Sequence, residues 1–183
     1  MLFPGGPLPL RIFEPRYLDM VSACMKFDSP FGVLLIRDGH EVGPATTFEV
    51  GTLARITDFY QGSDGLLGIT AIGLQRFRLL SSSRQDDGLN VGEVELIAPE
   101  KPMRLPDQYS ALPHMLGNVL QDLGRLYEVT DWNLDDAVWV GYRYLEILPL
   151  GLEQKQASLE SSDTVGRLSL VDALLDTVRR EAQ

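Results

Sequence analysis

The sequence predicts an α+β protein in which a β-rich lobe, a barrel or highly curved sheet, is followed by a helical bundle. Three observations carry this. Residues 31–99 alternate short apolar runs with Gly, Asp and Asn turn signals, the pattern of closely spaced hairpins. The segment Pro99-Glu-Lys-Pro-Met-Arg-Leu-Pro106 has three prolines and no periodicity, and reads as a linker. Beyond it the apolar spacing becomes helical. We therefore divide the chain into residues 1–104 and 105–183.

Taken in order, the first segment is fixed by Pro4, Pro7, Pro9 and Pro15 with Gly5 and Gly6, giving turns and then an extended Leu10-Arg11-Ile12-Phe13. Helical spacing runs from Pro15 to Met25, with Pro15 in the first turn, where a missing N–H does no harm. Phe31 to Ile36 reads as a buried strand closed by the turn pair Asp38-Gly39. Val50 to Tyr60 is a second strand, and Asp64-Gly65 turns into Leu66 to Ile72. Gly73 interrupts before Gln75 to Leu80, and Asp87-Gly88 precedes a last strand from Leu89 to Ile97. In the second lobe, Leu116, Val119, Leu120, Leu123 and Leu126 stripe one face of a helix over 112–127. A second helix starts after Asn133 or Asp135 and stops at Pro149. A short one covers Leu152 to Leu159. The last begins at a Ser162 or Asp163 cap and buries Val165, Leu168, Leu170, Val171, Leu174, Leu175 and Val178.

Composition narrows the function. The 183 residues are 44% hydrophobic with net charge -10, and no apolar run is long enough for a membrane span. No signal peptide is visible, and the lone Cys24 fits a reducing compartment, so a soluble cytoplasmic protein is expected. Up to Arg104 there are 10 basic and 13 acidic residues, and after it 6 and 13. Neither part is an electrostatic trap for nucleic acid, whose binders neutralise phosphates with basic patches.

Catalytic groupings are missing. His40 and His114 lack partners at metal-ligand spacing and read as solvated residues, so no metal or cofactor is expected. There is no Gly-rich phosphate loop and no Gly-x-Ser-x-Gly elbow. Ser22 and Lys26 stand four apart on the first helix, a commonplace spacing. Cys24 reads as a small buried hydrophobe. Asp86-Asp87 belongs to a turn and Asp135-Asp136 to a helix start. No catalytic residue emerges.

The most distinctive stretch is Leu2-Phe3-Pro4-Gly5-Gly6-Pro7-Leu8-Pro9-Leu10-Arg11-Ile12-Phe13-Glu14-Pro15-Arg16-Tyr17. With Phe31-Gly32-Val33-Leu34-Leu35-Ile36, Val50 to Ile56, and Asp64-Gly65 leading to Gly73-Leu74-Gln75-Arg76-Phe77-Arg78, it resembles the N-terminal substrate-binding domain of the Lon protease family. Leu148-Pro149-Leu150 and Leu159 to Asp163 with Arg167-Leu168 extend the resemblance through nearly the whole chain. The resemblance implies a PUA-like β pseudo-barrel of six strands with a C-terminal α-helical bundle. It also implies a non-enzyme, since the ATPase and Ser–Lys protease domains of full Lon proteases are not among these residues. Relatives carry an apolar strand and a Val ahead of Leu-Phe-Pro-Gly-Gly, so the native chain is expected to start upstream of Met1.

The function implied is a module that binds unfolded or damaged polypeptide, or an adaptor to a protease or other protein partner. Such a module needs exposed apolar anchors near a groove or strand edge. Its candidate residues are Phe13, Glu14, Arg16, Tyr17, Arg76 and Phe77. Phe13 and Phe77 are expected in the core, Arg76 to pair with Glu14, and Arg16 and Tyr17 to be exposed. A PUA-like small-ligand or RNA binder is the alternative.

Overall fold

The computed structural model describes residues 1–40, 45–62 and 64–181, which form two compact units, Met1–Pro99 and Glu100–Gln183. Unit one contains β1 (Pro7–Ile12), α1 (Pro15–Phe27), β2 (Phe31–Val33), β3 (Ile36–Gly39), β4 (Ala45–Thr47), β5 (Val50–Gln61), β6 (Leu67–Arg84) and β7 (Asn90–Leu96). Its main sheet runs β1-β6-β5-β2, all antiparallel, with β7 also on β6; β3 and β4 form a separate two-stranded sheet. Among the described residues the sheet stays open and does not close into a barrel.

The centre of this unit is β6. Its first half lies between β1 and β5, in the register Leu10↔Ile69↔Phe59, and its second half pairs with β7. Two clusters among the described residues belong to the core. One gathers Leu2, Ala54 and Ala71; the other gathers Ile12, Val21 and Ile69, with Tyr17 and Met20 of α1 packed against it. Fully burying a side chain such as Ile69 contributes about 2 kcal/mol. Cys24 is a free, buried thiol on the same helix.

Two expectations about strands change. Leu34 and Leu35 break the run from Phe31 to Ile36, so β2 pairs with β5 while β3 leaves for its own sheet. Conversely, Gly73 does not interrupt β6. The backbone of residues 3–6 lies directly on it: Gly5 N–H donates to the Gly73 carbonyl at 2.7 Å, and Gly73 N–H to that of Gly6 at 2.9 Å. A Cβ at Gly73 would stand 2.1 Å from the Phe3 carbonyl oxygen. The glycine admits a crossing loop; it does not end the strand.

Unit two contains α2 (Leu112–Leu123), α3 (Arg125–Glu128), α4 (Ala137–Ile147), α5 (Leu152–Glu160) and α6 (Thr164–Glu181). The helix expected over 112–127 is split at Gly124, whose φ of 59° ends the first piece. Val119 and Leu123 of its expected stripe are exposed, while Leu112, Leu116 and Leu120 are buried. α4 is buried on nearly every side and starts at an Asp136 cap, whose Oδ1 accepts from Val138 N–H at 3.1 Å. The proline-rich segment that reads as a linker is fastened to this unit. Asp136 Oδ1 also accepts from Met103 N–H at 3.0 Å, and Ala137 N–H donates to the Met103 carbonyl at 2.8 Å.

Glu100, the first residue of the unit, is a buried hub. Arg167 grips its carboxylate with both terminal nitrogens, at 2.8 and 3.2 Å, while Thr164 Oγ1 donates at 2.8 Å and the Tyr142 hydroxyl also donates. Arg167 stacks over the Tyr142 ring at 3.9 Å and donates to the Ser161 carbonyl at 3.1 Å. Burial opposes the charge on Glu100, but the bonds from Arg167, Tyr142 and Thr164 outweigh it and hold the carboxyl below its usual range. This one carboxylate ties the leading segment to α4 and α6.

A second polar cluster joins α3, α4 and α5. Arg143, fully buried, donates to Glu146 Oε1 at 2.8 Å, the Tyr127 hydroxyl donates to Glu146 Oε2 at 3.2 Å, and Lys155 Nζ donates to the Glu146 carbonyl at 3.0 Å. Burial pushes the Glu146 carboxyl up to about 7 against the pull of Arg143.

Candidate functional site

The six candidate residues fall into two places. Four of them, Phe13 to Tyr17, form the elbow between β1 and α1. Pro15 pins the first helical turn, and Glu14, extended at φ -85°, is the cap position. Alternation along β1 buries Leu8, Leu10 and Ile12 to differing degrees, and Phe13 follows with the opposite parity. Its ring is 63% exposed, so the core position expected for it is not what the structure shows.

Arg16 is the opposite correction. It is only 7% exposed, held by Glu14 Oε2 at 2.8 Å from its Nε, by the Gly88 carbonyl at 2.7 Å from Nη1, and by the Tyr17 ring at 4.6 Å. Glu14 thus pairs with Arg16, two residues along, and not with Arg76. Arg16 is a clamp: it fastens the tip of the β6–β7 hairpin to the start of α1. Tyr17 is half-buried, sandwiched between this guanidinium and the core.

Arg76 and Phe77 lie elsewhere, buried on β6 opposite Thr52 and Gly51. Phe77 is core, as expected. Its ring fills the space left by two glycines, since a Cβ at Gly51 would lie 2.8 Å, and at Gly32 3.0 Å, from Phe77 Cζ. Neither residue can reach a ligand at the surface without moving the sheet.

What sequence reasoning missed is that the β6–β7 hairpin, whose turn at Asp87-Gly88 it does read, lies exposed. Among the described residues, past Leu79, whose N–H donates to the Glu49 carbonyl at 2.7 Å, β6 pairs with β7 alone, and the two strands run on as a ribbon to a turn at Gln85–Leu89. Asp87 Oδ1 accepts from Leu89 N–H at 2.8 Å and Gly88 takes a φ of 85°, so the acidic pair 86–87 does serve a turn. Every residue of β7 is exposed, and Leu80, Val91, Val94 and Leu96 show apolar side chains to water. Alternation alone predicts a half-buried strand; only the edge of β5 at Val50 reveals that none of the described residues covers this one.

His40 and His114 are exposed. Among the described residues no three or more His, Cys, Asp or Glu side chains converge, and no helix is long and apolar enough to cross a membrane.

A family model described as the ATP-dependent protease La (LON) substrate-binding domain matches residues 1–177. Protein cereblon of Xenopus tropicalis is 34% identical over 108 residues, 58% of this chain and 23% of its own. Lon protease 1 of Hydrogenovibrio crunogenus is 24% identical over 193 residues, 97% of this chain and 22% of its own. The chain thus spans less than a quarter of either relative. A crystal structure of a Lon N-terminal domain protein from Xanthomonas campestris superposes with TM-score 0.75 at 38% identity, covering 94% of this chain and 92% of that one. The N-terminal domain of the Mycobacterium avium complex Lon protease, TM-score 0.59 at 14% identity over 95% of this chain and 91% of that one, agrees in fold.

Proposed function

Because the chain belongs to the Lon substrate-binding domain family, we propose that it is a non-catalytic module that binds unfolded or damaged polypeptide, or docks a protein partner, through the apolar surface of unit one. The observation that carries this reading is the exposure of large apolar side chains on rigid supports. Phe13 is 63%, Leu80 62% and Leu96 53% exposed, the first on a proline-pinned elbow and the others on a paired ribbon. Rigid apolar anchors bind extended chains with little ordering cost of their own. A cytoplasmic setting belongs to the same proposal, supported by the single, buried Cys24.

The test is fluorescence anisotropy of the whole chain against a labelled, permanently unfolded polypeptide, with its folded form and a single-stranded RNA alongside. Saturable binding of the unfolded chain only, little changed by salt, is expected. Phe13→Ser should weaken it about tenfold while leaving thermal stability within ~0.5 kcal/mol, because an exposed ring adds little to the fold. Binding of RNA alone, collapsing as salt rises, would overturn the reading.

A further inference from the structure

We infer that β7 is the place where an extended segment adds as a further strand, and that the segment favoured alternates apolar with basic residues. The inference rests on the polypeptide-binding reading and names the chemistry of what is bound.

The argument starts from hydrogen-bond parity. Ile97 N–H donates to the Arg76 carbonyl at 2.9 Å, and Gln85 N–H to that of Leu89 at 2.8 Å. In an antiparallel ladder such bonds bracket pairs that do not bond directly, here Leu96↔Phe77 and Asn90↔Arg84. The register slip opposite Leu79 and Ser81 places the extra residue, Leu80, on β6 and leaves the parity of β7 intact. Asn90, Gly92, Val94 and Leu96 therefore turn their N–H and C=O groups away from β6. Among the described residues β7 pairs with β6 alone, so these groups form an open edge.

Natural edges are commonly blunted by Lys, Pro or inward charges. β7, Asn-Val-Gly-Glu-Val-Glu-Leu, has neither Lys nor Pro. Its side chains split by face: Asn90, Val94 and Leu96 on one, Val91, Glu93 and Glu95 on the other, all exposed. An incoming strand would set apolar side chains beside Val94 and Leu96 and would need cations beside Glu93 and Glu95. A second copy of this chain is the poorer occupant, because edge-to-edge pairing brings its own Glu93 and Glu95 against these, in a protein of net charge -10.

The experiment uses the whole chain and three labelled octapeptides: alternating Val and Lys, alternating Val and Glu, and the Val–Lys peptide N-methylated at alternate amides. The N-methylated peptide keeps the charge and apolar content but cannot complete a ladder, which separates strand addition from general attraction to an acidic protein. The Val–Lys peptide should bind about tenfold more tightly than either other peptide, and a Glu93→Lys/Glu95→Lys variant should reverse the charge preference. Amide exchange at Gly92, Val94 and Leu96 should slow on binding. Equal binding of the N-methylated peptide, or an unchanged preference in the variant, would overturn the inference while binding of the unfolded polypeptide still upheld the proposed function. Failure of the unfolded polypeptide to bind at all would remove both.

Discussion

Replacing Arg167 with Met tests how far the Glu100 hub supports unit two. The side chains of Arg167 and Glu100 are 2% and 6% exposed, so the substitution leaves a carboxylate in a site with almost no water. Breaking such a pair from one side costs about 3–5 kcal/mol. Glu100 keeps the hydroxyls of Tyr142 and Thr164, which places the expected loss near the lower end, about 3 kcal/mol. Removing the anion as well, in Glu100→Leu/Arg167→Met, should recover about half, the rest being the donors of Tyr142 and Thr164 left unmatched. The assay is urea unfolding followed by tryptophan fluorescence, since both tryptophans, Trp132 and Trp139, belong to this unit. Acid supplies a second axis. Glu100 is held below its ordinary value, so its contribution is complete above that value and vanishes as pH falls through the lowered one. The gap between the wild type and Glu100→Gln should therefore close in strong acid. A loss under ~1 kcal/mol at neutral pH, or a double variant whose loss is the sum of the singles, would refute the argument.

Three other outcomes follow from contacts already described. Gly73→Ala drives a methyl against the Phe3 carbonyl and should destabilise unit one by about 2–3 kcal/mol, with faster amide exchange at Gly5 and Gly73 than in the parent. Glu146 is raised to about 7, so between its ordinary value of 4.5 and that point the folded chain holds a proton that the unfolded chain has lost. Stability should accordingly fall as pH rises through this window, by about 1–3 kcal/mol, and Glu146→Gln should flatten the slope in urea titrations at several pH values. Arg16→Met removes the clamp on the hairpin tip and leaves Glu14 without its cation, so a loss of about 2 kcal/mol is expected, with proteolytic nicking between Gln85 and Leu89 as the readout.

The legible part of this molecule was whatever repeats along the chain. The change of period near residue 100, the turn pairs Asp64-Gly65 and Asp87-Gly88, and the stop before Pro149 all act through local backbone preferences, and each reappears in the structure, whereas the helix expected to start after Asn133 or Asp135 is capped by Asp136. Readings failed where a distant partner decides. Gly73 looks like a breaker until the loop at residues 3–6 is laid over it. Phe13 has the composition of a core residue, yet one step of strand parity turns it outward. Arg16 has the composition of a surface residue, but Glu14, Tyr17 and the Gly88 carbonyl together supply what a buried guanidinium needs. The site was half legible for the same reason. The elbow is contiguous in sequence and could be named, whereas the ribbon is exposed only because β5 stops short of it.

The Glu100 hub also dictates how this protein can be dissected. Composition invites a cut after Arg104, where the prolines thin out. A fragment beginning there would keep α2 to α6 and still be damaged, since it would strand the Arg167 guanidinium beside Tyr142 with its counter-ion left on the discarded piece. It would also lose the Met103 backbone that sits on the start of α4. A fragment beginning at Glu100 retains both fastenings. Five residues with no regular structure thus belong to the helical unit as firmly as any helix in it, and a working boundary here follows a carboxylate and not a change in sequence texture.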